Sequence, residues 1–260
     1  MTTNPTPLLE LRATSVSFDG FLALNDLNLT LQPGELRAVI GPNGAGKTTF
    51  LDVITGKVHP TSGEVLFRGR SLVGMSEHRI ARLGIGRKFQ TPRVYQNLTP
   101  RRNLELALKG SHEPLPLLFG SLRPDQRERV SQLLAIVGLE ARSSEPAGSL
   151  SHGQKQWLEI AMLLAQDPEL LLVDEPVAGL SEEETDRTGE LLRQLAGDHT
   201  VLVIEHDMDF IRELDCPVTV LHEGHVLCEG NMDDVQRDPR VVEVYLGAPD
   251  DADQTLESFE

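Results

Sequence analysis

The chain predicts an α/β fold, a mainly parallel sheet covered by helices on both faces, with a helical stretch inserted in the middle. Three features lead there. Leu170 to Val173 and Val201 to Ile204 are short unbroken apolar runs, as expected of strands buried on both faces, and the helix-like Glu182 to Leu195 lies between them. Leu36 to Ile40 is a further strand that runs into a glycine-rich loop and then a helix beginning near Gly46. Residues 89–167 carry helical signals in place of strand signals. Strands alternating with helices give a parallel sheet, and ligands of such sheets sit beyond the carboxyl ends of the strands.

In chain order, Leu9-Glu10-Leu11 and Val16-Ser17-Phe18 are strand-like, and Leu27 to Leu31 alternates with period two before a Pro33-Gly34 turn. Thr99-Pro100 is a helix start, a capping hydroxyl followed by proline at the first helical position. A Pro- and Gly-containing loop spans Gly110 to Pro124, and Arg127 to Val137 resumes the helix until Gly138 ends it. From Gln154 to Gln166 the residues Trp157, Ile160, Ala161, Leu164 and Ala165 share one helical face, which makes Trp157 a core residue. Val218 to Cys228 is a hairpin turning at Glu223-Gly224. Residues 1–7 are expected to be flexible, and 248–260 to form an acidic disordered tail.

Composition narrows the function classes. No apolar run reaches the ~18 residues of a membrane span, and Met1 to Pro7 lacks the basic and apolar parts of a signal peptide, so a cytoplasmic chain is expected. The formal net charge of −16 argues against sequence-independent nucleic-acid binding. Arg87, Lys88, Arg93, Arg101 and Arg102 form a local basic cluster, expected to be a solvated rim or a partner surface. Cys216 and Cys228 match no metal-ligand spacing and are expected to be ordinary thiols.

The chemistry begins at Gly41-Pro42-Asn43-Gly44-Ala45-Gly46-Lys47-Thr48, which fills every fixed position of the phosphate-binding pattern G-x-x-x-x-G-K-[ST]; Thr49 follows. The glycines let backbone N–H groups turn in around phosphate oxygens, and the helix that follows aims its positive end at the same anion. Lys47 suits the β- and γ-phosphates, and the Thr48 hydroxyl suits Mg²⁺. At the end of the apolar run, Asp174 suits the same Mg²⁺ and Glu175 is free to polarise an attacking water. His206 follows another strand, where an imidazole can hydrogen-bond a γ-phosphate; taken alone, a histidine there is more often structural.

Between these motifs lies Leu150-Ser151-His152-Gly153-Gln154, which resembles the L-S-G-G-Q signature of ABC ATPases. Gln90 falls where that family has its Q-loop glutamine, Ala178-Gly179-Leu180-Ser181 falls at the D-loop, and His206 falls at the switch histidine. Phe18 falls where an aromatic stacks on adenine, with Phe21 a nearby competitor. The resemblance runs from about Leu8 to Leu246. It implies one ABC ATPase domain over 8–247 on a P-loop NTPase fold, with an antiparallel β subdomain and a helical subdomain at about 89–167. It also implies ATP and Mg²⁺ as ligands, Gln90 joining Thr48 and Asp174 at the metal, and Glu175, His206 and Gln90 as the hydrolytic set. Two cassettes, identical or merely homologous, would pair head to tail, so that each ATP meets the P-loop of one and Ser151, His152, Gly153 and Gln154 of the other.

Two positions depart from the family pattern. His152 replaces the first signature glycine and must point away from the phosphates. Ser181 replaces the D-loop aspartate, which leaves the cross-interface contact expected there in doubt. Ile85 to Thr91, Ile204 to Met208 and Val241 to Gly247 look like the importer ATPases for branched-chain amino acids and amides. Leu150 to Ile160 and Asp174 to Gly179 resemble the urea-importer member. That resemblance implies two transmembrane permease subunits docked on the segment Thr91 to Thr99, a periplasmic or extracellular substrate-binding protein, and a peripheral place on the cytoplasmic face of the membrane. A lipid- or lipopolysaccharide-extracting motor and a soluble cluster-assembly ATPase are the alternatives.

Overall fold

The computed structural model describes residues 6–88, 93–108 and 122–246. The expected acidic tail, Gln90 and most of the 110–124 loop lie outside the described residues. The described parts of 1–32, 37–76 and 204–260 form one compact unit, and those of 33–36 and 77–203 form another.

In the first unit, β1 (Leu9–Phe18) and β2 (Phe21–Leu31) form a hairpin, and β4 (Ser62–Phe67) and β5 (Arg70–Ser71) extend it into an antiparallel sheet of order β2-β1-β4-β5. The two stretches expected near the N-terminus are one strand, β1, whose register shifts around Ala13. The Asp19-Gly20 turn has positive φ at both residues, the geometry that matches strand twist in a two-residue hairpin. Along β2 the predicted alternation holds: Leu27, Leu29 and Leu31 are buried, while Asn28 and Thr30 are exposed.

The same unit holds β3 (Leu36–Ile40), parallel to β9 (Val218–His222), with Ala38 opposite Val218 and Ile40 opposite Val220. β9 turns through Glu223 and Gly224, both at positive φ, into the antiparallel β10 (His225–Gly230). The helix after the glycine-rich loop is α1 (Lys47–Ile54), anchored by the buried Phe50, Leu51 and Ile54. Later helices of this unit are α7 (Met208–Leu214), α8 (Met232–Arg237) and α9 (Pro239–Leu246).

In the second unit, β7 (Leu170–Asp174) is flanked by β6 (Ile85–Lys88), parallel to it, and by β8 (Thr200–Ile204). Its helices are α2 (Glu77–Arg82), α3 (Pro100–Ala107), α4 (Pro124–Ile136), α5 (His152–Leu164) and α6 (Glu182–Leu195). Thr99 caps α3 as expected, its hydroxyl accepting from Arg102 N–H. Gly138 follows α4 at φ 62, the left-handed position that closes a helix. α5 begins two residues before Gln154, because Ser151 caps it. Trp157 is buried; its indole N–H donates to Thr188 Oγ1 at 2.9 Å, and the Arg187 guanidinium lies 4.6 Å from the ring centroid.

The basic cluster is not one solvated rim. Lys88 is fully buried and the Arg87 side chain only 8% exposed. The reason is β6 itself, where Arg87 pairs with Leu172 and Lys88 with Val173 of an apolar strand. Arg93 is exposed and Arg101 and Arg102 are intermediate. Among the described residues, Cys216 is buried and Cys228 half-buried, and no helix is long and apolar enough to cross a membrane.

Candidate nucleotide and signature sites

In the first unit the loop Gly41–Gly46 is shaped from both sides. Lys47 Nζ donates to the carbonyls of Gly41 at 2.6 Å and Pro42 at 3.0 Å, folding the cation over the loop it belongs to. Ala45 N–H donates to Pro42 O, and Phe50 N–H donates to Gly46 O, which starts α1. Gly46, at φ 101, is the N-cap of α1 and has no side chain to cap with, so the first turn presents backbone N–H groups at the loop. A methyl on Gly46 would lie 2.5 Å from Ala23 O, and one on Gly41 2.3 Å from Leu221 O. The β9–β10 turn braces the loop directly, with Gly224 N–H donating to Ala45 O at 3.0 Å and Asn25 N–H donating to Gly224 O at 3.0 Å.

His206 lies in the same unit. The preceding residue, Glu205, donates its backbone N–H to Val39 O at 3.3 Å, which ties the chain to the strand that leads into the loop. Glu205 is buried; its Oε2 accepts from His206 N–H at 2.9 Å and lies 3.5 Å from Nδ1, while the imidazole is largely exposed. Asp207 caps α7, accepting from Asp209 and Phe210 N–H. The structure therefore sets His206 between a buried carboxylate and a helix start, with its ring turned outward. Phe18 and Phe21 close the β1–β2 hairpin as a cross-strand pair, 47% and 66% exposed. Neither is packed into the sheet, so plain strand packing does not account for Phe18. Tyr245, on α9, also reaches the loop: desolvation pushes its phenol up to about 12, against a hydrogen bond with the Gly41 backbone.

In the second unit Asp174 ends β7. Burial pushes its carboxyl up, and Arg87, with Nη2 3.3 Å from Oδ2, pulls it part of the way back. Glu175 follows at φ 44, a left-handed conformation uncommon for a residue with a long side chain. That turn carries the chain off the strand end. It continues through Leu180 N–H to Val177 O and through Gly179 at φ 73 to Ser181. Ser181 caps α6: its hydroxyl accepts from Glu184 N–H, and Glu184 Oε2 accepts from Ser181 N–H, both at 3.3 Å. The serine that replaces the family aspartate is thus a helix cap within its own chain.

The signature residues open α5. Ser151 Oγ accepts from Gln154 N–H, and Gln154 Oε1 accepts from Ser151 N–H, each at 3.1 Å, a complete capping box. The His152 ring stands 3.0 Å from Gln156 Nε2, one turn further along, so the imidazole lies against its own helix. The Ser151 hydroxyl donates to Glu184 Oε1 at 2.6 Å. A methyl on Gly153 would meet the Glu184 carboxyl carbon at 2.7 Å, so that carboxylate rests on the first turn of α5.

The expected residues are thus found in two sets, each held in its own unit: the loop with Lys47, Thr48, Thr49, His206 and Phe18, and the strand end with Asp174, Glu175 and the signature turn. Sequence reasoning missed Glu184 and Tyr245, and it named Arg87 and Gly224 without their parts here, as the ion-pair partner of Asp174 and the brace of the loop. The S/T-x-x-E spacing of Ser181 and Glu184 gives the α6 cap but not the hydroxyl that Glu184 takes from Ser151. In the first unit, the backbone N–H groups and the lysine at the loop, with the Thr48 hydroxyl beside them, suit the phosphates of a nucleotide. In the second unit, the burial of the Asp174 carboxylate favours a cation such as Mg²⁺ beside it.

Comparison with known proteins supplies the family context. Residues 24–178 match the model described as ABC transporter, and residues 225–251 match the one described as branched-chain amino acid ATP-binding cassette transporter. The high-affinity branched-chain amino acid transport ATP-binding protein LivG of Escherichia coli (strain K12) is 36% identical over 253 residues, covering 93% of this chain and 98% of LivG. Among solved structures, an ATP-binding cassette of an ABC transporter in its ADP conformation is 29% identical at a TM-score of 0.81, covering 93% of this chain and 99% of that one. A dimeric cassette in a post-hydrolysis state, bound to ADP and Pi, is 27% identical at a TM-score of 0.69, covering 86% and 98%.

Proposed function

Because the chain belongs to the ABC transporter ATP-binding family and is an ATPase of that kind, we propose that it powers an importer of branched-chain amino acids. The observation that carries this reading is the match of residues 225–251 to the branched-chain amino acid cassette model, which covers β10, α8 and α9. LivG, similar over nearly its whole length, supports the same substrate class. Urea is the second substrate to test, on the resemblance of Leu150 to Ile160 and Asp174 to Gly179.

The ATP phosphates lie in the Gly41–Thr48 loop, against backbone N–H groups and Lys47, and the adenine stacks on Phe18. Thr48, Asp174 and Gln90 would hold Mg²⁺, which neutralises charge on the β- and γ-phosphates. Glu175 accepts a proton from the water that attacks the γ-phosphorus; the bond to the bridging oxygen breaks, and ADP and phosphate leave. His206 hydrogen-bonds the γ-phosphate. Ser151, Gly153 and Gln154 complete the ATP site of a second cassette, and α5 aims its N-terminus at that γ-phosphate. The dimeric relative bound to ADP and Pi supports such pairing. The pair, identical or homologous, sits on the cytoplasmic face of the membrane under two permease subunits that receive substrate from a binding protein. The segment Thr91 to Thr99 forms part of the docking surface; of its residues, Arg93 and Tyr95 line a groove with Arg87 and Glu159.

The test is uptake of labelled leucine and labelled urea in source cells lacking this gene, rescued by the wild type or by Glu175→Gln. Leucine uptake restored only by the wild type is the expected result. Restoration of urea uptake alone moves the substrate to urea. Unaffected uptake of both removes the importer reading and leaves lipid extraction or cluster assembly.

A further inference from the structure

The first turn of α5 already holds an anion that belongs to this chain. Ser151 Oγ donates to Glu184 Oε1 at 2.6 Å, and the same carboxyl group crowds the Cα of Gly153. Its other oxygen, Oε2, accepts from the backbone N–H of Ser181. One carboxylate therefore bridges the cap of α6 and the cap of α5, across 33 residues of sequence. Hydrogen bonds from Ser151 and Ser181 hold the carboxyl below the usual carboxylate range, so it is ionised at neutral pH. A helix start is where an anion is most favoured, and the two residues beneath the carboxylate are those assigned to the γ-phosphate of a partner cassette.

We propose that Glu184 is a positioning residue that occupies the signature turn in place of the partner's γ-phosphate, holding Ser151 and Gly153 ready and yielding when ATP arrives. The inference rests on the reading of Ser151 given under Proposed function. Two anions cannot share one hydroxyl and one helix start, so closure on ATP breaks the contact between Ser151 and Glu184. Because Glu184 also accepts from Ser181 N–H, its release reaches the D-loop turn between Glu175 and α6. The signature turn and the turn after the general base are thereby loosened or held together by one side chain.

The experiment uses the assembled transporter, purified from source membranes through a tag on this chain, with ATPase rate measured against ATP concentration. Glu184→Gln keeps shape and removes charge. The expected result is a three- to tenfold lower half-saturating ATP concentration with kcat within about twofold, the scale of losing one charge-assisted hydrogen bond to a competitor. The isolated variant should melt at a lower temperature than the parent, so ATP use tightens while the free chain weakens, a split that a purely structural role would not give. An unchanged or higher half-saturating concentration overturns the proposal. Should Glu184→Gln fail to assemble, Glu184→Asp, one methylene short of Ser151, must shift the concentration in the same direction, and no shift overturns it. Ser151→Ala separates the two levels of the argument. If it raises the half-saturating concentration while Glu184→Gln does nothing, only the role of Glu184 falls. If it changes nothing, the reading of Ser151 falls and takes this inference with it.

Discussion

Arg87 Nη2 stands 3.3 Å from Asp174 Oδ2, which makes a strand residue of β6 the counter-ion of the carboxylate that ends β7. Both side chains are largely buried. Burial raises Asp174 above a free aspartate, so between the two values the folded chain keeps a proton that the unfolded chain has released. Stability from this group therefore falls as pH rises through that window and is smallest above it. Arg87 narrows the window by favouring the carboxylate. Arg87→Ala is expected to widen it, lowering unfolding free energy at pH 7 by about 1–3 kcal/mol, the cost of a buried charge left without its partner. Urea unfolding over a pH series below 7 checks this, with the deficit shrinking as pH falls through the widened window. A deficit that stays the same across the series would place the loss in packing.

Glu175→Gln is expected to bind ATP as the wild type does and to turn it over about 10²–10⁴-fold more slowly, the usual worth of a general base. Calorimetric affinity and a phosphate-release assay together decide it. A fully active variant would take Glu175 out of that role.

Lys47→Ala is expected to weaken nucleotide binding, because the phosphates lose their nearest cation. The folded loop should survive, since the turn at Gly224 still holds Ala45 O. Circular dichroism unchanged beside reduced affinity is the expected pair of results. Unchanged affinity would count against the assignment.

Gly224→Ala and Gly44→Ala should differ. A methyl on Gly224 would come within 2.8 Å of Ala23 O and Leu24 Cα at φ 78; on Gly44, at φ 83, it would meet open space. Backbone strain of about 1 kcal/mol is common to both. The clash adds about 1–3 kcal/mol more at Gly224 and loosens the nucleotide loop. Melting temperature and ATP affinity should both fall further for Gly224→Ala. Equal losses would show that the turn yields without cost.

Much of this was legible in the residues because local rules and global structure agree. The glycine loop, the period-two alternation from Leu27 to Leu31, the Thr99 cap and the Glu223-Gly224 turn each depend on neighbours in sequence, and each stands where expected. What escaped depends on neighbours in space. A run of Arg87 and Lys88 resembles a solvated edge until β6 is paired with an apolar strand, which buries both. Glu184 looks like one more acid on a charged helix, and only the approach of Ser151 gives it a role.

The brace between Gly224 and Ala45 also orders events during synthesis. The strand that carries the nucleotide loop, β3, pairs with β9, and the loop is propped by the turn that follows β9. Those partners leave the ribosome some 180 residues after the loop itself. The second unit, by contrast, draws nearly all its residues from the contiguous run 77–203 and has its material first. A nascent chain stalled at residue 203 therefore has every residue of the Ser151–Gln154 turn but neither β9 nor the turn at Gly224, and the brace on the glycine-rich loop arrives only with the last quarter of translation.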